Sequence, residues 1–185
     1  EKYAHVTYFF NSQVETPKPL EDRKMVKSPK CASYADQPEM SAVPLTDALI
    51  KEIEKDSTNE RKYRFIAVNY ANTDLVGHSG EFKAAVKSSK IIDQCLSKLI
   101  PTALKHGYDI FLTADHGNAE QMFYENGEPC PSHTKNPVIG LLVSKTFKNG
   151  KLKKGKGLQD VAPTLLDILN VDKPDVMTGE SLISS

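Results

Sequence analysis

The chain has 185 residues, and its 24 Lys and Arg residues balance 24 Asp and Glu residues, so the formal net charge at pH 7 is zero. This length suits one ordinary domain, and a charged fraction of 26% is the usual globular share. A balanced charge argues against nucleic acid or an anionic membrane as the main partner, because either would require an excess of Lys and Arg. The sequence contains no run of about 18 apolar residues, which predicts a soluble protein without a membrane-spanning helix.

The cysteine pattern bears on the compartment. The three cysteines, Cys31, Cys95 and Cys130, are odd in number, far apart and without a CxxC pair. Free thiols of this kind are typical of a reducing compartment. We therefore expect a cytoplasmic protein.

The first part of the chain predicts a strand, a helix and a second strand. Tyr3 to Phe10 is aromatic and β-branched, and a proline-rich loop follows it. From Pro44 onward, apolar residues recur at helical spacing as far as Ile53. Arg64 to Tyr70 is a short, nearly continuous apolar run, which is typical of a strand buried on both faces.

The remainder continues this alternation. A long apolar stripe from Phe82 to Leu104 predicts a helix, with a bend at Pro101 and an end at Gly107. Two further strands are predicted at Asp109 to Ala114 and Val138 to Ser144, before a short helix that begins after Asp160 with Pro163 in its first turn.

Strands that alternate with helices indicate the α/β class, with a mainly parallel, doubly wound sheet and right-handed crossovers. In such sheets, ligands bind in loops beyond the carboxyl ends of the strands. The loops after the predicted strands are therefore the first places to search for chemistry.

Two of these loops contain an Asp and a His. Asp74 and His78 lie four residues apart after the strand that ends at Tyr70, and Asp115 and His116 follow the strand that ends at Ala114. His133 lies in a turn-rich loop before the next apolar run. Carboxylate oxygens and imidazole nitrogens form a mixed ligand set that suits Zn²⁺ or Mn²⁺.

The simpler interpretation is a capping Asp and a surface His in each pair. The conjunction favours metal binding instead, because a doubly wound sheet brings all five side chains to one edge. His5, in the predicted first strand, and His106, near a helix C-terminus, are expected to be structural.

Four segments carry a resemblance to a known family: 2–11 (KYAHVTYFFN), 37–42 (QPEMSA), 72–78 (NTDLVGH) and 113–120 (TADHGNAE). They are similar to segments of the cofactor-independent phosphoglycerate mutases, which belong to the alkaline-phosphatase-like superfamily. The similarity extends over nearly the whole chain, including 160–164 (DVAPT) and 177–179 (MTG).

The resemblance implies an alkaline-phosphatase-like fold and a two-metal phosphoryl-transfer site, usually with two Mn²⁺ ions, although Mg²⁺, Zn²⁺ or Co²⁺ are alternatives. By matching motif positions, Asp74, His78 and His133 would hold one ion, and Asp115 with His116 would contribute to the other. Lys2 matches the lysine that contacts the transferred phosphate. The implied reaction interconverts 3-phosphoglycerate and 2-phosphoglycerate through a phosphoserine.

No serine of this chain matches the family's nucleophile. We therefore expect residues 1–185 to be the C-terminal part of the metal-binding phosphatase domain, without the N-terminal nucleophile segment and the transferase domain. The missing N-terminal part of its own chain is then a partner, and the isolated chain is expected to be inactive.

Two alternatives stay open at this point. Another metal-dependent phosphomutase or a phosphatase of the same superfamily would use the same metal ligands. The other alternative is a non-catalytic metal-binding fragment. For the full-length protein we expect a monomer that acts on small-molecule phosphoglycerate and binds neither nucleic acid nor membrane.

Overall fold

The computed structural model of the chain describes residues 1–56, 63–147 and 150–184. The elements in chain order are a 3₁₀ helix Tyr3–Val6, α1 Ala42–Asp56, α2 Asn72–Gly77, α3 Phe82–Lys105, β1 Ile110–Thr113, β2 Gly140–Val143, a second 3₁₀ helix Leu158–Asp160, and α4 Val161–Ile168. This mixture of helix and sheet is consistent with the α/β class.

The structure contradicts the prediction of a first strand at Tyr3 to Phe10. These residues form a 3₁₀ helix over Tyr3–Val6 followed by turns. Local hydrogen bonds such as Phe9 N–H to the Ala4 carbonyl (2.9 Å) replace a strand ladder. The β propensity of aromatic residues is easily overridden by such local pairing.

The run Arg64 to Tyr70 does not form the buried strand that its composition predicts. It pairs with no other described residue in a β ladder. Phe65 and Val68 are 40% and 36% exposed, and the Phe65 ring stacks on Phe10 with ring centroids 5.7 Å apart. An apolar run becomes a strand only where a neighbouring strand supplies hydrogen-bond partners.

The helix α3 is the centre of packing. The predicted helices α1 and α3 are present, and the buried side chains of Ile53, Leu99 and Ala103 join them in one apolar cluster. A second cluster forms where Val76 of α2 packs against Ala85 of α3 and Met122. Burial of these apolar faces fixes α1 and α2 on opposite ends of the same helix.

The end of α3 follows the prediction. The helix runs through Pro101 and ends at Lys105, with Gly107 at a φ of 78°. The Tyr108 N–H donates to the Ala103 carbonyl (2.9 Å) and the Gly107 N–H to the Leu104 carbonyl (3.2 Å). This is the Schellman pattern, which requires a left-handed residue and therefore favours glycine.

The predicted strands near Ile110 and Leu141 are present as β1 and β2. They pair antiparallel, with Ile110 opposite Val143 and Thr113 opposite Gly140. Among the described residues this is the one sheet, so the parallel pairing expected for a doubly wound sheet does not hold for these two strands. A loop without a crossover helix joins them, and such a connection returns the chain antiparallel.

The predicted C-terminal helix is present as α4, with a buried polar anchor at its start. The carboxylate of Asp160 accepts hydrogen bonds from the Gly157 N–H (2.8 Å) and the Glu180 N–H (2.8 Å). The Thr164 hydroxyl donates to the Asp160 carbonyl (2.6 Å) and accepts from the Leu182 N–H (2.8 Å). These bonds tie the segment after Gly179 to α4.

The cysteines and the helices bear on two expectations from composition. The three cysteines are free, and Cys95 and Cys130 are buried. Within residues 1–56, 63–147 and 150–184, the helices lack the combination of length and apolar character that crossing a bilayer requires.

Candidate metal centre

Asp74 and His78 are positioned by α2, a short helix that takes the place of the loop expected from the sequence. The side-chain amide of Asn72 anchors its first turn by donating to the carbonyls of Pro38 and Glu39, both at 2.9 Å. Val76 is fully buried beneath it. Residues four apart share one face of a helix, so the spacing of Asp74 and His78 places both side chains together.

His133 is supplied by the long loop that joins β1 to β2. An antiparallel bridge between Gly117 and Thr134, with the Thr134 N–H donating to the Gly117 carbonyl (2.8 Å), holds the two arms of this loop together. A Cβ at Gly117 would overlap the hydroxyl of Thr134 and the carboxylate of Glu120. Glycine therefore permits the close approach that brings His133 to α2.

Three ligand atoms converge as a result. Asp74 Oδ1 lies 3.1 Å from His78 Nε2 and 3.2 Å from His133 Nε2, and the two imidazole nitrogens are 3.1 Å apart. In the part of the chain that the structure describes, this is the one group of three His, Cys, Asp or Glu side chains with ligand atoms so close together.

The donor set fits a divalent cation. A cation about 2.1 Å from each donor separates neighbouring donors by about 3.0 Å in octahedral and 3.4 Å in tetrahedral geometry. The observed separations of 3.1 to 3.2 Å fall within this range. One oxygen and two nitrogen ligands suit Zn²⁺ or Mn²⁺ better than Ca²⁺, which prefers oxygen ligands.

The tautomer of His78 follows from its second nitrogen. Nδ1 lies 2.5 Å from the Pro131 carbonyl oxygen, which can only accept, so Nδ1 carries the proton. The lone pair of Nε2 is then free to face Asp74 and His133. A second nitrogen bonded in this way is the usual support of a metal-binding histidine.

The carboxylate of Asp74 is held in its ionised form. Burial disfavours its charge, but hydrogen bonds from Lys2 and Asn118 and the charge of Lys2 outweigh that effect and lower its pKa. The Lys2 ammonium lies 2.7 Å from Asp74 Oδ2, and the Asn118 amide donates to Oδ1 at 2.7 Å. Lys2, which the resemblance assigns to substrate, therefore lies at the edge of the cluster.

Asp115 and His116 lie beside this cluster. His116 Nε2 is 3.9 Å from Asp74 Oδ1 and 3.5 Å from Asp115 Oδ2. The ring of His116 stacks on that of His133 with centroids 3.6 Å apart. The Asp115 side chain is 59% exposed, whereas that of Asp74 is 15% exposed. The structure thus places His78, His133 and His116 around Asp74 and leaves Asp115 at the rim.

Sequence reasoning missed two residues that support the site. Asn118 bonds Asp74 directly, and Glu120 accepts hydrogen bonds from the Asn118 N–H (2.6 Å) and the Thr134 hydroxyl. Both lie in the segment 113–120 that carries the family resemblance. Both residues lie close to Asp115 in the sequence, and this proximity is the one signal that they belong to the site. It does not reveal that Asn118 bonds Asp74, which is 44 residues away.

Comparison with known proteins gives matches over nearly the whole chain. The family profile described as the metalloenzyme superfamily matches residues 1–173. Two proteins named 2,3-bisphosphoglycerate-independent phosphoglycerate mutase are 47% identical over 184 residues in Clostridium botulinum and 48% identical over 183 residues in Clostridium acetobutylicum. The matches cover 99% and 98% of this chain and 35% of each relative.

A solved structure also matches. It is described as a Leishmania mexicana phosphoglycerate mutase crystallised at low cobalt concentration. The TM-score is 0.87 at 26% identity, over 99% of this chain and 35% of that one. The chain therefore spans about a third of the length of the curated relatives and the solved structure that it matches.

Proposed function

The chain belongs to the metalloenzyme superfamily, and from this premise we propose that it forms the metal-binding part of a phosphoglycerate mutase that interconverts 3-phosphoglycerate and 2-phosphoglycerate. The observation that carries the proposal is the convergence of Asp74, His78 and His133 beside His116 and Lys2. The similarity to mutases over 99% of the chain supports the choice of reaction.

In this proposal, Asp74, His78 and His133 hold one divalent cation, and Asp115 with His116 contributes to a second. We assign two Mn²⁺ ions, with Mg²⁺, Zn²⁺ and Co²⁺ as alternatives. When bound, the cations would stabilise negative charge on the transferring phosphoryl group. Two carboxylates neutralise half of the four positive charges, so the remaining excess attracts a phosphate dianion.

The chain's own residues then have separate roles. Asp74 stays ionised because Lys2 and Asn118 stabilise its charge. His78 presents Nε2 because its Nδ1 proton is held by the Pro131 carbonyl. Lys2 lies close enough to exchange its ion pair with Asp74 for one with a substrate phosphate. The nucleophilic serine would be supplied from outside these 185 residues.

The same proposal also concerns the domain context, the compartment and the oligomeric state of the protein. Residues 1–185 would be the C-terminal part of a phosphatase domain, in which a nucleophile segment and a transferase domain complete the enzyme. Three free cysteines support a reducing compartment, and we assign the protein to the cytoplasm. We expect a monomer at full length.

Two measurements test the proposal. Calorimetric titration of the 185-residue chain with Mn²⁺ should give about one tight site, because one cation has three ligands here and the other has two. Two equally tight sites, or none, would contradict the ligand assignment.

The reaction is tested on the protein at its natural length. We expect conversion of 3-phosphoglycerate into 2-phosphoglycerate that requires a divalent metal, and little turnover of phosphopentoses or simple phosphate esters. Preference for a phosphopentose would instead indicate a different phosphomutase, and hydrolysis without isomerisation would indicate a phosphatase.

A further inference from the structure

Asn118 occupies an unusual position between the two parts of the chain that supply the ligands of the metal centre. It is 5% exposed and lies in the loop after β1. Its Nδ2 donates to Asp74 Oδ1 at 2.7 Å and to the Asp74 carbonyl at 3.2 Å. Both acceptors belong to one residue, so the amide fixes the backbone and the carboxylate of Asp74 together.

The orientation of this amide is determined by its partners. Carbonyl and carboxylate oxygens accept but do not donate, so the nitrogen and not the oxygen of Asn118 must face Asp74. The oxygen Oδ1 then points at Gly77, where an added Cβ would overlap it. Gly77 has no left-handed φ, so its lack of a side chain is needed for space and not for backbone conformation.

The backbone of Asn118 is held in turn by Glu120. One carboxylate oxygen of Glu120 accepts from the Asn118 N–H (2.6 Å), and the other accepts from the Thr134 hydroxyl and the Asn136 amide (2.9 Å). Thr134 follows His133 directly. A continuous set of hydrogen bonds therefore connects Asp74 to the loop that supplies His133.

We propose that Asn118 is a positioning residue of the metal centre, which orients the Asp74 carboxylate toward His78 and His133 in the space that Gly77 leaves open. The inference rests on the proposed function, since it concerns the ligands assigned there. Partners that orient a metal ligand typically contribute 10- to 100-fold to metal affinity. Asn118 itself is not a ligand in this arrangement, because its nitrogen faces the carboxylate.

The test is calorimetric titration with Mn²⁺ on the protein at its natural length. We expect Asn118→Ala to lower the affinity about 10- to 100-fold. Gly77→Ala should cause a similar loss, because the new methyl group displaces the Asn118 side chain. In the double variant the methyl group enters the space that Asn118 vacated, so its affinity should match that of Asn118→Ala within about twofold. Such non-additivity is the sign of two residues that act through one contact.

Thr164→Val is the matched control. Thr164 is also buried, at 0% exposure, and its hydroxyl also makes two hydrogen bonds, but both go to backbone groups of Asp160 and Leu182 beside α4. We expect this variant to lose thermal stability in metal-free buffer and to keep its Mn²⁺ affinity. Equal changes in affinity for Thr164→Val and Asn118→Ala would show a general structural effect and overturn the inference.

His78→Ala separates this inference from the proposed function. If the wild-type protein binds no Mn²⁺, or if His78→Ala binds it equally well, the proposed function and the inference about Asn118 are both wrong. If His78→Ala loses the site while Asn118→Ala keeps wild-type affinity, the inference alone is wrong. Should Asn118→Ala not fold, Gly77→Ala decides alone: unchanged affinity overturns the inference and a 10-fold or larger loss supports it.

Discussion

Lys2 and Asp115 both lie at the edge of the candidate metal centre, but their charges are opposite and their expected roles differ. The Lys2 ammonium contacts Asp74 at 2.7 Å, and Asp115 contacts His116 at 3.5 Å. We expect Lys2→Ala in the full-length protein to lower kcat by about 10²- to 10³-fold, the usual cost of removing one preorganised charge-stabilising group. Mn²⁺ cannot replace the ammonium, so excess metal should not restore the rate.

Asp115→Asn is the contrasting variant. It keeps the size of the side chain but replaces an anionic ligand with a neutral amide, so the metal should bind more weakly and excess Mn²⁺ should partly restore activity by mass action. Measurement of kcat for both variants across a Mn²⁺ series, with thermal melts alongside, tests the pair. Normal kcat for Lys2→Ala would contradict the proposed role of Lys2 at the substrate phosphate.

Glu21 gives a prediction about pH that is independent of the metal centre. Its carboxylate accepts hydrogen bonds from the Lys18 N–H (2.7 Å), Arg23 (2.5 Å) and Asn11 (2.6 Å), which lower its pKa to about 2. Because the folded pKa lies below the unfolded value, this carboxylate stabilises the fold above pH about 4.5. The stabilisation should be lost as the pH falls from about 4.5 through 2.

The prediction can be checked by NMR titration of the Glu21 carboxyl carbon, where a midpoint near 2 is expected. Glu21→Gln should also flatten the acid limb of the stability curve, because the amide has no proton to gain. A titration midpoint of about 4.5, the ordinary value of a Glu side chain, would contradict the hydrogen-bonded geometry.

At the scale of single elements, α3 is the helix on which α1 and α2 pack. Leu99 is 6% exposed and contacts Ile53 of α1 and Ala103. We expect Leu99→Ala to lower the free energy of unfolding by about 2–5 kcal/mol, since it leaves a cavity between the two helices. Denaturant unfolding monitored by circular dichroism measures this loss.

Val86→Ala is the control on the same helix. Val86 is 38% exposed, so its truncation should change the free energy of unfolding by less than about 0.5 kcal/mol. Equal losses for the two variants would show that the α1–α3 contact contributes little.

The elements also show which structural features can be predicted from sequence. The amphipathic stripes of α1 and α3 were sufficient to predict both helices, because a helix satisfies its own backbone hydrogen bonds. A strand depends on a partner elsewhere in the chain. The run 64–70 has the composition of a strand but no ladder among the described residues, and 3–10 satisfies its backbone by local turns.

The same distinction applies to the candidate site. Asp74 and His78 could be paired from their spacing alone, although the helix that joins them was expected to be a loop. The approach of His133 depends on Gly117, Thr134 and Glu120, whose contacts span up to 17 residues of loop. Long-range side-chain hydrogen bonds leave no periodic signal in a sequence, and Asn118 was missed for this reason.

At the scale of the whole molecule, the distribution of thiols predicts an order of chemical reactivity. Cys95 and Cys130 are 3% and 2% exposed, whereas Cys31 is partly exposed. We expect iodoacetamide to modify Cys31 first under native conditions and the other two only after unfolding. Mass spectrometry after brief labelling measures this order, and early modification of Cys95 would contradict its burial on α3.

The loop from Ala114 to Ile139 joins two short antiparallel strands and carries His133 back to α2. A cation bound by both His133 and Asp74 would act as a cross-link that closes the ring of about 60 residues between them. Closing this ring restricts the conformations that the loop can adopt. A protease cleaves a loop when the loop opens transiently into an extended conformation. The exposed turn at Tyr124 to Gly127 is the expected cleavage point. Mn²⁺ should therefore slow cleavage at this turn, as seen on a gel after timed digestion. An equal rate with and without Mn²⁺ would mean that the hydrogen bonds of Glu120 already close the loop.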